Sequence, residues 1–500
     1  MNHFIPLEYN SEALIKAIND LQDKGKSSQD SWLRRRQVQD RLLHLIGGHR
    51  YQFLDIPIIS PTELFLRKSG GELASQMFSF LDPASNAISL RPEFTAPIML
   101  HYLEHAGEIS LPARCHYTGP VFRYDGSNPP NSGQFTQIGA ELIGSTSVMA
   151  DAELVGLAAE MLDDLGIQGY SIKLADLQVL HDLLDTVGIS DRARTFIIGS
   201  IPELRNGDGN TATLLERAQH LHLTGNGPQE TDLSSAVAGL DNAQAKIVLH
   251  GFLQWSGGET VELGQRDPEE VVERLLHKIR GSDDRDGLER AFNLAENLTK
   301  IHGEPKAAIS QARALLGIAG ADLNALDRLS ELVELLSCHP GLVENLVLDF
   351  GLAQGIAYYN GITFQVSHPD AAGSLGGGGR YDDLARALGS PDTVPALGFA
   401  YNLDLVVDIV REEAISGRSG PANLLNWPSS ALVIAKDHLN PNAALVAARE
   451  LRRSGLQVEL AVSDYTLSSA LAYASASGIN QVVVVGQDGQ RQVHQISSSP

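Results

Sequence analysis

Cysteine is almost missing from this chain, and the two present, Cys115 and Cys338, lie far apart. Neither sits at a metal-ligand spacing, so they read as two reduced, partly buried thiols, not as a disulfide framework or a zinc site. Long apolar runs are missing too. No window approaches the roughly 18 uninterrupted apolar residues that a membrane span needs. The start, MNHFIPLEYNSEALIKAIND, has no basic segment followed by an apolar one, so no signal peptide is expected and a cytoplasmic location is. Positive charge is scarce as well: 38 Lys and Arg against 61 Asp and Glu leave a net charge of −23. That balance counts against non-specific nucleic-acid binding, which runs on cationic surface meeting phosphates. The densest basic cluster, Arg34-Arg35-Arg36, lies in the helical pattern DSWLRRRQVQDRLLHLI and reads as a solvated helix face.

What is present is ample core material, 43% hydrophobic residues in 500, enough at about 150 residues per domain for two to four domains. The organising stretch runs from Leu111 to Ser145. CHYTGPVFRY alternates and is β-rich, GSNPPNSG is dense in turn formers, and QFTQIGAELIG is β-compatible again. A two-stranded element with an Arg on one strand and a Gln and a Glu on the other suits a small zwitterion. The Arg meets a carboxylate bidentately and the acid meets an amine.

Taken in order, residues 1–30 are polar and without strong periodicity. Trp32, Val38, Leu42, Leu43 and Ile46 fall at helical spacing, predicting an amphipathic helix that ends at Gly47-Gly48. YQFLDIPIISP (51–61) is a β-rich run whose Pro57 places that strand at an edge or interface. AISLRPEFTAPIMLHYL reads as a strand that breaks at Arg91–Thr95 into a helix, with Pro97 early in it. SVMADAELVGLAAEMLDDLGI is a helix with an acidic start. The first core segment spans 31–190 and a helical insertion 191–345. A second core segment follows over 346–411, in which LVLDFGLAQGIAYYNGITFQVSH suggests paired strands turning at Asn360-Gly361. SLGGGGRYDDLARALG suggests a glycine turn into a helix. The glycines read as structural, with Arg380 at a pocket edge. A Gly/Ser/Pro-rich linker covers 412–429, and 430–500 has a βαβαβ pattern that fades at its end.

At LRPEFTAP, at VFRYDGSNPPNSGQFTQIGAELIG and at GGGGRYDDLARALGS…PALGFA, the chain resembles the three signatures of the class II aminoacyl-tRNA synthetase core. The branch is that of histidyl-tRNA synthetase. AYYNGITF resembles its histidine-recognition segment. The resemblance implies an α+β fold, a mostly antiparallel sheet flanked by helices, with a helical insertion and a small C-terminal α/β domain like an anticodon-binding domain. It implies dimerisation around Pro57. It also implies a histidine pocket: Glu93 and Thr95 for the α-amino group, Arg123 for the carboxylate, and Gln137, Glu141, Tyr358 and Tyr359 as walls reading the imidazole.

The ATP side departs from the family. An ungapped alignment puts the adenine-reading acid on Asp125 and three basic loop positions on Gly126, Asn131 and Gly133. The catalytic arginine of the histidine segment falls on Gln354 and its aspartate on Ala357. The Glu-Arg pair of the third signature falls on Asp404 and Leu405. Adenylation develops charge on phosphoryl oxygens, and losing one preorganised donor costs on the order of 10²–10³ in rate. The pattern therefore resembles the regulatory subunit of ATP phosphoribosyltransferase. The expectation is a non-enzymatic, cofactor-free and metal-free subunit that binds L-histidine, partners a short catalytic subunit in the first step of histidine biosynthesis, and does not take tRNA. The alternatives are a divergent histidine–tRNA ligase and a paralogue acting as an amino-acid-binding protein.

Overall fold

The structure is a computed structural model, and it describes residues 31–124, 133–206, 211–221, 223, 240, 244–249, 251, 285–352, 359–411, 427–436 and 440–496. The polar segment 1–30 and most of the linker therefore lie outside the described residues. Two compact units divide the chain: 1–173 with 331–346 and 357–500 form the first, 174–330 with 347–356 the second.

Helix α1 (31–48) buries Val38, Leu42 and Ile46, the apolar stripe expected of it. The run after it is two short strands, β1 (Gln52–Phe53) and β2 (Ile59–Pro61), with Pro57 in the connection between them. This corrects the single strand expected there. Helix α2 (Thr62–Gln76), β3 (Ser79–Leu81) and β4 (Ala87–Leu90) follow, and β2-β4-β3 make a small antiparallel sheet. Helix α3 (Thr95–Glu104) carries Pro97 in its first turn, where the missing N–H removes no helical bond. The β5 (Ala113–Phe122) and β6 (Gln134–Ile143) hairpin is in full antiparallel register. Helix α4 (Val148–Asp164) starts at Ser147, whose hydroxyl accepts from the Met149 N–H.

Strand β7 (Ser171–Asp176) leads into the second unit, which is mainly helical; there β8 (His302–Gly303) pairs antiparallel with β9 (Leu346–Asp349). Back in the first unit come β10 (Ile362–Ser367), β11 (Ser374–Arg380) and β12 (Ala396–Asn402). The strand order around them is β1-β5-β6-β12-β11-β10, antiparallel except for β1 on β5. The glycine run is thus a strand and not a turn. A Cβ at Gly376 would stand 2.1 Å from the Ala400 carbonyl, so the ladder closes only without one. Among the described residues, Asn360-Gly361 joins no hairpin either. Asn360 donates to Asp383 and accepts from the Asp382 N–H, and β10 pairs with β11.

The C-terminal segment has parallel strands β14 (Gln457–Leu460), β13 (Ser430–Ala435) and β15 (Gln481–Val485) in that order. In place of a fading end, β16 (Arg491–Gln495) adds antiparallel to β15. This segment docks on the core through buried charge. Arg114 on β5 meets Glu153 of α4 with two bonds of 2.9 and 3.0 Å, and reaches Glu459 at 3.2 Å and the Leu460 carbonyl at 2.7 Å. Arg50 and the Tyr473 hydroxyl also bond Glu459. Trp427 stacks on His44 of α1 with ring centroids 4.2 Å apart. A second buried pair, Arg380 with Asp151 at 2.5 Å, ties β11 to α4. Helix α4 is buried on nearly every side, and these two arginines explain how it tolerates an acidic start. The basic run of α1 is engaged within the chain, Arg34 with the Val410 carbonyl, Arg35 with Asp404 and Arg36 with Asp40. No helix among the described residues is long and apolar enough to cross a membrane.

Two predictions follow from this packing. Arg114→Ala leaves Glu153 and Glu459 buried without their cation, and about 3–5 kcal/mol of stability should be lost in urea unfolding. Burial also holds His116 and His339 down to about 4. Unfolded chains bind those protons near 6.5, so acidification favours unfolding. Stability is complete above pH 6.5 and should fall between 6.5 and 4, each histidine adding a slope approaching about 1.4 kcal/mol per pH unit. Urea midpoints at pH 7.5, 6, 5 and 4.5 check it.

Candidate functional site

The site forms where the start of α3 meets one face of the β5–β6–β12 sheet. The turn Arg91–Phe94 ends β4 and delivers Glu93, whose carboxylate accepts from the backbone N–H of Thr95 at 2.6 Å and of Ala96 at 3.1 Å. These are orphan donors of the helix start, and an anion there also meets the positive end of the helix dipole. Thr95 turns its hydroxyl to the sheet and donates to Glu141 at 2.9 Å.

Glu141 is the centre of the arrangement. It is 1% exposed and takes hydroxyl bonds from Thr95 of α3, from Tyr117 of β5 at 3.2 Å and from Tyr381 beyond β11. Space for the carboxylate comes from Gly398 on β12, directly opposite in register: a Cβ there would lie 1.3 Å from Glu141 Oε2. Burial and the neighbouring Glu141 charge push the Tyr117 and Tyr381 hydroxyls well above their ordinary value, so both stay protonated donors. Tyr117 stacks on Phe94 with centroids 4.2 Å apart. A carboxylate fixed by hydroxyls from three elements is a preorganised acceptor for a ring N–H or an ammonium.

Along the same face of β6 lie Gly139 and Gln137. Gln137 is 7% exposed and its Oε1 is enclosed without a hydrogen-bond partner among the described residues. Opposite Gly139 and Gln137 stand Tyr117 and Gly119 on β5, and the two glycines make room for neighbours: the Tyr117 hydroxyl lies over Gly139 and the Arg91 guanidinium over Gly119. Arg123, just past β5, donates from Nε to the Pro92 carbonyl at 2.8 Å, which sets its guanidinium beside the turn that holds Glu93. Tyr359 packs against the apolar cluster that includes Phe94, Tyr117 and Tyr381.

The structure thus brings Glu93, Thr95, Arg123, Gln137, Glu141 and Tyr359 to one face of the first unit. Tyr358, Gln354 and Ala357, like Asp125, Gly126 and Asn131, lie outside the described residues. Of the ATP-side positions, Gly133 lies under the Phe78 ring, where a Cβ would come to 2.7 Å. Leu405 is in the first turn of helix Leu403–Ile409 and bonds the Asn402 side chain through its N–H. Asp404 accepts from the Thr136 N–H at 2.9 Å and pairs with Arg35 at 3.1 Å. Arg380, at the end of β11, is a buried structural cation paired with Asp151 of α4 and not a pocket edge.

Sequence reasoning passed over Tyr117, Tyr381 and Gly398. Tyr117 was within reach, since the alternation that faces Glu141 inward on β6 faces Tyr117 inward on β5.

The histidyl-tRNA synthetase family model matches residues 27–220 and 265–406, well over half of the chain. The chain belongs to the histidyl-tRNA synthetase family. It is 26% identical over 454 residues to the histidine–tRNA ligase of Methanocaldococcus jannaschii, covering 91% of this chain and 88% of that one. It is 27% identical over 455 residues to that of Sulfolobus acidocaldarius, covering 90% and 86%. A solved structure from Bacillus halodurans, described as an ATP phosphoribosyltransferase regulatory subunit/histidyl-tRNA synthetase, overlays with a TM-score of 0.50 at 19% identity, over 91% of this chain and 94% of that one. That likeness bears on the fold.

These relatives correct the expectation of a non-enzymatic subunit. They are ligases, and the similarity runs over about nine-tenths of the chain. The premise that phosphates need cations stands. The step that failed was inferring lost catalysis from side chains missing at aligned positions, because a phosphate responds to the cation's place in space and not to its place in an alignment.

Tyr381→Phe removes one charge-assisted bond from a buried carboxylate, and about 1.5–3 kcal/mol should be lost in denaturant unfolding.

Proposed function

We propose that this protein is a divergent histidine–tRNA ligase, which activates L-histidine with ATP and transfers it to tRNA. The observation that carries the reading is the buried Glu141 with its three hydroxyl donors, on the same face as Glu93, Thr95 and Arg123. Glu141 is the acceptor for an imidazole N–H, with Gln137, Tyr358 and Tyr359 as further walls. Glu93 and Thr95 hold the α-amino group, and Arg123 holds the carboxylate. A carboxylate oxygen of histidine attacks the α-phosphorus, the bond to the bridging oxygen breaks, and pyrophosphate leaves. Arg123 offsets the charge that develops there.

The protein is expected to act as a homodimer through the β2–β4–β3 sheet around Pro57. That sheet exposes Ile59, Phe80 and Leu81, with Ile58 just before it, an apolar group that favours a covered surface.

The test is histidine-dependent exchange of pyrophosphate into ATP by the purified protein, with L-histidine titrated calorimetrically on the same sample. Exchange that requires histidine, and falls at least a hundredfold in Glu141→Gln, is the expected result. Histidine binding without exchange, together with a short phosphoribosyltransferase that copurifies and needs this chain for activity, would contradict the ligase reading. Sedimentation should give a dimer, and Leu81→Glu a monomer.

A further inference from the structure

Arg91 stands apart from the other buried arginines of the described residues. Arg114 and Arg380 each meet carboxylates, whereas Arg91, only 3% exposed, has no ion pair among the described residues. Its Nε donates to the Pro120 carbonyl at 2.9 Å, its Nη1 to the Ile56 carbonyl, and its guanidinium lies 4.0 Å over the Phe94 ring. The one acid acting on it is Asp55, beyond ion-pair distance. Carbonyls and a ring face hold the group in place without neutralising it, and a buried cation without a counter-charge is costly.

The third nitrogen, Nη2, is directed at the pocket floor. A Cβ on Gly119 would stand 2.5 Å from it, so glycine is what lets the guanidinium lie there. Gly119 is paired directly with Gln137 across the β5–β6 ladder, and directly opposed residues face the same side. Gln137 brings to that side an enclosed Oε1 with no partner. One unneutralised donor, lying over Gly119, and one unpaired acceptor, on the residue directly opposite Gly119, therefore share this side of the ladder. Each lacks what a small zwitterion or its phosphoryl derivative carries: an anionic oxygen for Arg91 and an N–H for Gln137.

We infer that Arg91 is a second anion-holding residue of this pocket, its Nη2 taking an anionic oxygen of the bound small molecule beside Gly119 while Gln137 accepts from its N–H. The assignment rests on the reading of the pocket given above and adds to it a residue that also determines specificity. Arg123 donates to the carbonyl of Pro92, the next residue of the same turn.

Titration calorimetry of wild type with L-histidine, with histamine (which lacks the carboxylate) and with ATP tests this. Gly119→Ala sets a methyl where Nη2 lies while keeping every charge, and Arg91→Lys keeps the charge but not the fork. Wild type should prefer L-histidine to histamine, and each variant should lose at least tenfold of that preference with histamine affinity changed less than twofold. If the preference holds but ATP affinity falls tenfold, the anion is a phosphate and the assignment stands. If neither moves in a folded variant, Arg91 is structural only and the assignment is overturned. Should both variants fail to fold, a crystal structure of wild type with L-histidine and with ATP decides, since an anionic oxygen must come within hydrogen-bond distance of Nη2. Wild type that binds no histidine overturns the reading of the pocket and this assignment with it. Wild type that binds histidine, with both the ratio and the ATP affinity unchanged in the folded variants, overturns this assignment alone.

Discussion

A carboxylate with almost no solvent contact has to be held by donors, and Glu141 obtains them from three places in the chain. Thr95 comes from the start of α3, Tyr117 from the neighbouring strand and Tyr381 from beyond the glycine strand. The constraint works in both directions. The three hydroxyls fix the carboxylate, and the carboxylate fixes how α3 and the Tyr381 turn sit on the sheet. It also dictates Gly398, because any side chain there would occupy the place of the carboxylate. A preorganised acceptor and local stability are then one property of the same group of residues.

Behind the sheet the same logic is applied with full charges. Helix α4 brings Asp151 and Glu153 into the interior, and each is matched by a strand arginine, Arg380 and Arg114. Arg114 then reaches Glu459, so the C-terminal segment docks on the strand whose opposite face carries Tyr117. Strand β5 therefore presents a docking network on one side and the pocket on the other. Its alternation keeps the two apart, with Arg114 and His116 to the back and Tyr117 and Gly119 to the front.

Much of this was legible in the residues. The β5–β6 hairpin, the break from strand into α3, helix α4 and the parallel strands of the C-terminal segment follow from period and punctuation. The glycine strand was not legible in that way. Glycine carries no strand preference, and the reason for it at Gly376, a carbonyl closer than any Cβ tolerates, exists only once β12 is alongside. Asn360-Gly361 has the dipeptide of a tight turn, yet Asn360 spends its side chain on the Asp382–Asp383 corner. Strand β16 is mostly polar and exposed, so no hydrophobic pattern announced it. Inside the pocket, the residues drawn from the motifs on β5 and β6 assemble as a group. Arg91 lay within a quoted motif, but its lack of a counter-charge is a property of its surroundings alone.

Counting charges along an aligned sequence also led to the wrong conclusion about catalysis. The cations of a phosphoryl-transfer site matter by distance and preorganisation, and several side chains can meet the same requirement from different positions. What distinguishes a working ligase from a binding protein is whether histidine leaves the pocket attached to RNA. The direct measurement is transfer of radiolabelled histidine to tRNA by the purified protein with ATP. The account predicts histidine-specific charging that needs ATP and is lost in Glu141→Gln. Histidine bound tightly, with ATP present and no label on tRNA at stoichiometric enzyme, would contradict it.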